Sequence, residues 1–215
     1  MINDLKLGLK MFRYGRYLKT GIPWSIIILV IGLLIHIWDR TCELGGLPGD
    51  VLMMTMAVYI FPTVYSLRSS NLVLSSPAQK RVWTSMPAAV TCFYTVILYL
   101  VLSLINGILM TGHPEYISVI CIGTVYSAGA AALIMITASL YAYFWMAVTQ
   151  AIGICCLNFF ERNIVSMFRF GVFDNSPGSF ALALVIGLAI ILLGGLGQYG
   201  VSLLVYKKFM PRYSK

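Results

Sequence analysis

The chain has 215 residues, of which 60% are hydrophobic and only 10% are charged. A soluble domain carries charge on about a quarter of its residues because its surface faces water, so this composition excludes an ordinary soluble domain and predicts an integral membrane protein. The formal net charge of +8 does not indicate a nucleic-acid-binding protein, because the basic residues cluster at the two chain ends and in one loop rather than forming an aromatic-interleaved basic surface.

Residues 1–20 predict a helix that lies on the membrane surface before the first span. Such a helix turns an apolar face toward the acyl chains and basic residues toward the headgroups. A second apolar stripe, formed by Leu5, Leu9 and Phe12, favours an additional contact with protein. A plain basic anchor that sets the orientation of the first span is the alternative. The residues that define the interfacial helix are Leu7, Met11 and Tyr14 on the first apolar stripe and Lys6, Lys10 and Arg13 between the stripes.

Apolar segments long enough to cross a bilayer follow along the whole chain. A hydrocarbon core of about 30 Å needs about 20 residues of helix. The apolar stretch 117–160 would form a helix of about 66 Å, roughly twice that thickness, so we divide it into two spans. The predicted spans are 22–38, 51–67, 87–110, 117–140, 142–160 and 180–205.

The distribution of charge predicts the orientation of these spans. With six spans and both termini in the cytoplasm, 12 of the 15 basic residues fall on the inner side, as the positive-inside rule requires. The predicted fold class is therefore an all-α integral membrane protein with six transmembrane helices, an N-terminal interfacial helix and cytoplasmic termini. We expect residues 1–215 to form one transmembrane domain in a bacterial inner membrane.

The predicted cytoplasmic loop 68–86 contains signals for a short helix. Ser75 or Ser76 can cap its start, and Pro77 is tolerated in a first helical turn. Such a helix would present Lys80 and Arg81 to the cytoplasm and would turn the apolar residues that follow toward the membrane. An ordinary cytoplasmic loop is the alternative.

The segment Leu-Ser-Ser-Pro-Ala-Gln-Lys-Arg-Val at 74–82 resembles a segment of the permease subunits of type-2 ABC exporters. In that family the segment also lies between the second and third spans, and the six spans, inner termini and N-terminal interfacial helix are similar as well. Gln79 stands where the family often has a basic residue, so the match departs from the pattern there.

The resemblance implies a transport function driven by another chain. This chain would form the path for an amphipathic cargo (a peptide, a drug or a lipid), as a homodimer or heterodimer with a second permease subunit. Two cytoplasmic ATP-binding subunits would carry the ATP and Mg²⁺, so this chain would itself bind no cofactor. The residues that the resemblance assigns to the docking of the ATPase subunit are Ser75, Ser76, Pro77, Gln79, Lys80, Arg81 and Val82.

Several motifs of other functions are absent from the sequence. No Asp, Glu, Lys or Arg lies in the middle of a predicted span, where an ion-coupled carrier keeps an ionisable group. There is no G-x-x-x-x-G-K-[ST] phosphate loop, no G-x-S-x-G and no H-E-x-x-H, and the two histidines do not predict a metal site. We therefore expect a non-catalytic chain without catalytic or metal-binding residues. The alternatives are a substrate-capture subunit of a vitamin importer, a membrane-embedded enzyme and an assembly protein; the residues that contact substrate are unassigned.

Overall fold

A computed structural model describes residues 2–12, 26–27, 30–34, 37, 77, 79–112, 117–139 and 173–209, and these residues form helices and turns. Five helices have defined bounds. They are α1 (Ile2–Phe12), α2 (Gln79–Trp83), α3 (Ser85–Gly112), α4 (Ile117–Ala138) and α5 (Pro177–Phe209).

Three of these helices are long and apolar enough to cross a membrane: α3 together with α2, then α4, then α5. The described part of the chain is thus all-helical with three candidate membrane spans, as the composition predicts. Helix α3 covers the predicted span 87–110, and α4 and α5 cover most or all of 117–140 and 180–205. The predicted spans 51–67 and 142–160 lie outside the described residues, and the span 22–38 is described only at 26–27, 30–34 and 37, which are helical.

The start of α5 has a cap that its sequence encodes. The Ser179 amide donates to the Ser176 hydroxyl at 3.4 Å, and Pro177 occupies the first helical position, where its missing N–H costs nothing. The side chain of the preceding residue reaches the neighbouring helix, because Asn175 Oδ1 accepts a hydrogen bond from the Ser118 amide at 3.0 Å. The first turns of α4 and α5 therefore lie side by side.

Contacts along the helices define their directions. Gly194 and Gly197 of α5 lie against Ala132 and Ile136 of α4, so the later residue of one helix meets the later residue of the other. These two helices run parallel. On α3 the order is reversed, since Cys92 lies against Gly195 whereas Gly107 lies against Phe180, and α3 is antiparallel to both.

Small residues allow the helix backbones to approach closely. A Cβ on Gly194 would lie 2.6 Å from the Ala132 Cβ and 2.8 Å from its Cα, so only glycine fits there. Glycine also makes room for α3, where the ring of Tyr99 occupies the space beside Gly187. Close packing of this kind holds membrane helices together, because lipid chains are as apolar as the side chains that they replace.

The core lies where α3, α4 and α5 meet. Most residues of α4 are buried, whereas α5 turns a row of leucines outward, including Leu193, Leu196 and Leu204 at 65%, 66% and 66% exposure. Apolar surface of that extent is expected to face hydrocarbon rather than water. The buried core residues are Leu98, Tyr99 and Leu102 of α3, Ala128, Ala131, Ile134, Met135 and Ala138 of α4, and Ile191 of α5.

Polar side chains inside the bundle bond to one another. The Thr91 hydroxyl of α3 donates to Gln198 Oε1 of α5 at 2.6 Å, and Asn106 Nδ2 donates to the Thr124 hydroxyl of α4 at 3.4 Å. All four residues are fully buried. Interhelical hydrogen bonds of this kind contribute about 1 kcal/mol each within a membrane and fix how the helices pair.

Candidate docking face at the basic end of the bundle

Charge is distributed unequally between the two ends of the described bundle. All of the described basic residues lie at the end where α1 and α2 join the start of α3 and where α5 finishes. The acidic Asp174 lies at the opposite end, beside the start of α5. The basic residues are Lys6 and Lys10 of α1, Lys80 and Arg81 of α2, and Lys207 and Lys208 of α5. We call this the basic end.

Helix α2 leads directly into α3 through one turn residue. The Thr84 amide donates to the Lys80 carbonyl at 3.0 Å, and the Thr84 hydroxyl donates to the same carbonyl at 2.7 Å. Because threonine can bond to the preceding turn in this way, it interrupts the regular helix without separating the two parts. Helix α3 begins at Ser85, so the predicted loop 68–86 ends two residues earlier than expected.

The predicted docking residues divide into an exposed and a buried group. Pro77 lies in an exposed turn before the helix, Lys80 is exposed, and Gln79 is half-buried. Val82 is only 2% exposed and packs inside the protein, whereas the sequence predicts that it would face the membrane. Ser75 and Ser76, the predicted caps, lie outside the described residues.

Arg81 differs from its predicted environment. Its guanidinium is half exposed but does not simply face the cytoplasm, because Nε and Nη2 donate to Asp4 Oδ1 at 2.9 and 2.6 Å. The Asp4 side chain is 10% exposed and the Arg81 side chain is 54% exposed. The ion pair joins the N-terminal helix to the predicted docking helix, which lies 77 residues further along the chain.

The environment of Asp4 keeps its carboxylate charged. Burial on its own raises the pKa of the Asp4 carboxyl, but the hydrogen bonds and positive charge of Arg81 lower it by more, so the net pKa lies below its ordinary value of 3.8. At neutral pH the ion pair is therefore fully formed.

Helix α1 is fixed to the bundle at a second point. A Cβ on Gly8 would lie 3.3 Å from the Met86 side chain and still closer to a methyl group of Val90, so the α1 backbone rests on the first turns of α3. Lys6 and Lys10 are exposed, whereas Leu7 is half-buried. The side chain of Met11 and all of Arg13 and Tyr14 lie outside the described residues. The sequence favours a protein contact through the second stripe; the contact that the structure describes is made by Gly8, which is not part of that stripe, and the side chains of Leu9 and Phe12 lie outside the described residues.

An aromatic pair connects α2 with the end of α5. The rings of Trp83 and Tyr206 have centroids 6.4 Å apart and are tilted by 56°, a geometry that aromatic pairs favour. Three elements thus converge on the start of α3: α1 through Asp4 and Gly8, α2 through Thr84, and α5 through Tyr206.

Sequence reasoning missed Asp4, Gly8 and Tyr206. Asp4 carried a signal, since it is the one acidic residue among the basic residues of the first 20 positions. An isolated carboxylate in a basic segment favours a buried or paired position. Gly8 and Tyr206 carried no comparable signal, because their partners are distant in sequence.

A second feature lies away from the basic end, on the outer surface of α3 and α5. It is an open apolar groove of about 570 Å³. Its lining includes Ser103, Gly107 and Phe180 together with leucine and isoleucine side chains.

Among the residues that the structure describes, no group of three or more His, Cys, Asp or Glu residues is placed to hold a metal ion.

Comparison with known protein families, with curated protein sequences and with solved structures gave no match to this chain. In the part of the chain that the structure describes, the fold defines a class: helices only, with three candidate membrane spans and a cluster of basic residues at one end. Its function has to be argued from the residues themselves.

Proposed function

We propose that this chain is the membrane-spanning permease subunit of an ATP-binding-cassette exporter, located in a bacterial cytoplasmic membrane. The observation that carries the proposal is the arrangement at the basic end, where a short exposed helix runs into a membrane-length helix and is tied to α1 by the Asp4–Arg81 ion pair. A partner that moves α2 would move the start of α3 and α1 with it. The resemblance of residues 74–82 to the exporter family supplies the identity of that partner, a cytoplasmic ATPase subunit.

The directions of the helices support a chain with more spans than the three described. The end of α4 and the start of α5 lie toward opposite ends of the bundle, because the two helices are parallel. The predicted fifth span, 142–160, would join these ends. The concentration of basic residues at one end supports an orientation with that end in the cytoplasm.

The proposal assigns distinct roles to the residues of α2. Lys80 is the exposed cation that meets the ATPase subunit, whereas Arg81 acts through Asp4 and holds α2 to α1. Val82 is buried and anchors the helix in the bundle. Two ATPase subunits would bind a pair of permease subunits and would supply the ATP and Mg²⁺. The amphipathic cargo and the export direction follow from the resemblance.

Affinity purification of the tagged chain from its native membrane in mild detergent tests the proposal. Mass spectrometry is expected to identify a soluble ATPase in stoichiometric amount. Recovery of the chain without an ATPase, under conditions that preserve a known transporter complex, would contradict it and would favour an enzyme or assembly function.

A charge reversal tests the docking role of α2 separately. Lys80→Glu is expected to weaken ATPase binding and coupled ATP turnover by about tenfold, because it replaces an attraction at an exposed position by a repulsion, and a factor of ten corresponds to about 1.4 kcal/mol. Lys10→Glu is the matched control, because it makes the same charge change at the same end on an exposed position of α1. Equal effects of the two variants would show that α2 is not the docking element, even if the ATPase is recovered.

A further inference from the structure

We propose that the junction of α2 and α5 binds the phosphate of an anionic phospholipid in the leaflet that the basic end faces. This inference does not rest on the proposed transport function. It rests on the position of three lysines relative to the Trp83–Tyr206 pair and on the exposed apolar face of α5 that leads to it.

The lysines lie on the aqueous side of the aromatic pair. Lys80 precedes Trp83 by one helical turn, and Lys207 and Lys208 directly follow Tyr206. Because α2 and α5 are antiparallel here, moving back along α2 and forward along α5 leads in the same direction, away from the core. All three lysines are exposed.

An exposed apolar surface on the outer face of α5 lies directly next to these lysines. Leu204 lies three and four residues before Lys207 and Lys208, so it shares their side of the helix. Leu204 and Leu196 are each 66% exposed, and a Cβ on Gly200 between them would meet no atom within 4 Å. The distance from Leu196 to Lys208 along the helix is about 18 Å, close to one leaflet of a bilayer core of about 30 Å.

A single phospholipid molecule would cover both the apolar and the basic part of this surface. An acyl chain would lie along the leucines and the gap at Gly200, and the phosphate would reach the ammonium groups of Lys207 and Lys208. Lysine binds phosphate as a point charge on a flexible stem, and its stem can extend along apolar surface to the headgroup level. Trp and Tyr favour the same depth in the membrane. A soluble acidic protein would satisfy the lysines but would leave the leucine face uncovered.

Charge around the site favours an anionic over a zwitterionic headgroup. The described residues of the basic end include six basic residues and one acidic residue, Asp4. Asp4 is held by Arg81. A net positive potential therefore surrounds the phosphate position, and each lysine near a headgroup is expected to change the affinity for an anionic lipid about fivefold.

The test measures binding of a fluorescent phosphatidylglycerol to the full chain purified in neutral detergent, with fluorescent phosphatidylcholine as the comparison lipid. The chain is expected to prefer phosphatidylglycerol. The double variant Lys207→Gln with Lys208→Gln is expected to bind phosphatidylglycerol roughly twentyfold more weakly. The double variant Lys207→Arg with Lys208→Arg, which keeps the charge, is expected to retain binding.

The matched control is Lys6→Gln with Lys10→Gln, which removes the same charge at the same end but from α1. It is expected to leave binding within about twofold of wild type. An equal loss of phosphatidylglycerol binding in the Lys6→Gln, Lys10→Gln variant and in the Lys207→Gln, Lys208→Gln variant would overturn the proposal, because binding would then follow net charge alone. Unchanged lipid binding in the Lys207→Gln, Lys208→Gln variant would also overturn it. If that same variant lost ATPase binding, the two lysines would be assigned to a protein partner instead. Competition by inorganic phosphate as effective as that of unlabelled phosphatidylglycerol would show a free-phosphate site instead.

Discussion

Asp4 is the acidic half of the ion pair that holds α1 to α2. The ion pair is neither fully exposed nor fully buried, because its carboxylate is buried and its guanidinium is half in solvent. Exposed pairs contribute less than about 1 kcal/mol, whereas removing one partner of a buried pair costs about 3–5 kcal/mol. The exposed guanidinium places the Asp4–Arg81 pair nearer to the first value.

We expect Asp4→Asn to lower the free energy of unfolding by about 1 kcal/mol, since the amide keeps the shape of the carboxylate but loses its charge. The single variants Asp4→Arg and Arg81→Asp are each expected to be destabilised because each places like charges together, and the exchange variant that carries both is expected to recover at least part of their summed loss. Thermal unfolding in detergent of the two single variants and the exchange variant forms a double-mutant cycle that isolates the pair. Additive losses in the exchange variant would contradict a direct interaction.

The lowered pKa of Asp4 predicts a pH dependence with a definite sign. A carboxylate whose pKa is lower in the folded state stabilises the fold above its unfolded pKa, and this contribution disappears as the pH falls through the lowered folded pKa. The stability difference between wild type and Asp4→Asn is therefore expected to stay constant from about pH 8 to about pH 5 and to shrink below 3.8. Unfolding midpoints of both proteins across this range provide the measurement. A difference that already disappears near pH 6 would contradict the ion pair as its cause.

Among the helices, α1 approaches α3 most closely at a single glycine, Gly8. Its contact with α3 is made by backbone rather than by a long side chain, and the nearest atom, a Val90 methyl group, belongs to a β-branched side chain that has one preferred rotamer in a helix. The contact consequently has little capacity to adjust. An N-terminal helix held in this way packs against the start of α3.

Gly8→Ala is expected to destabilise the protein by about 1–3 kcal/mol, because the added methyl group would run into Val90 and Met86 and the overpacking outweighs the gain in helix propensity. The control is Gly129→Ala on α4, where the new Cβ meets no atom within 4 Å, and a gain of up to about 1 kcal/mol is expected. Unfolding midpoints and the rate of proteolysis near the N-terminus would be compared. Equal stabilisation by both substitutions would show that Gly8 is not in close contact.

In the described part of the molecule, charged and apolar residues are separated: the basic residues lie at one end, and the bundle itself is apolar. The described basic residues gather at one end of antiparallel α3 and α5, and the spans between contain no charge. Such a distribution keeps the expensive desolvation of charge out of the hydrocarbon and fixes the orientation in the membrane.

A reporter fused after Met110 tests this orientation. Because α3 runs away from the basic end, the fusion is expected to report the outer side, and a fusion after Lys208 is expected to report the cytoplasm. An alkaline phosphatase and green fluorescent protein pair gives opposite signals in the two compartments. A cytoplasmic signal after Met110 would contradict the orientation and, with it, the docking role of α2.

Hydrophobic content and periodicity by themselves determined the class of this protein and the positions of α3, α4 and α5. These features depend on local apolar content, which the sequence displays directly. Pairing was decided only by the tertiary structure: Asp4 with Arg81, Gly8 with Val90, Trp83 with Tyr206, and Thr91 with Gln198. Each pair joins residues far apart in sequence, and inside a membrane the hydrophobic pattern does not specify which helix faces meet, since lipid and protein are equally apolar. The roles proposed for Lys80 in docking and for Lys207 and Lys208 in lipid binding therefore rest on where the folded helices bring them.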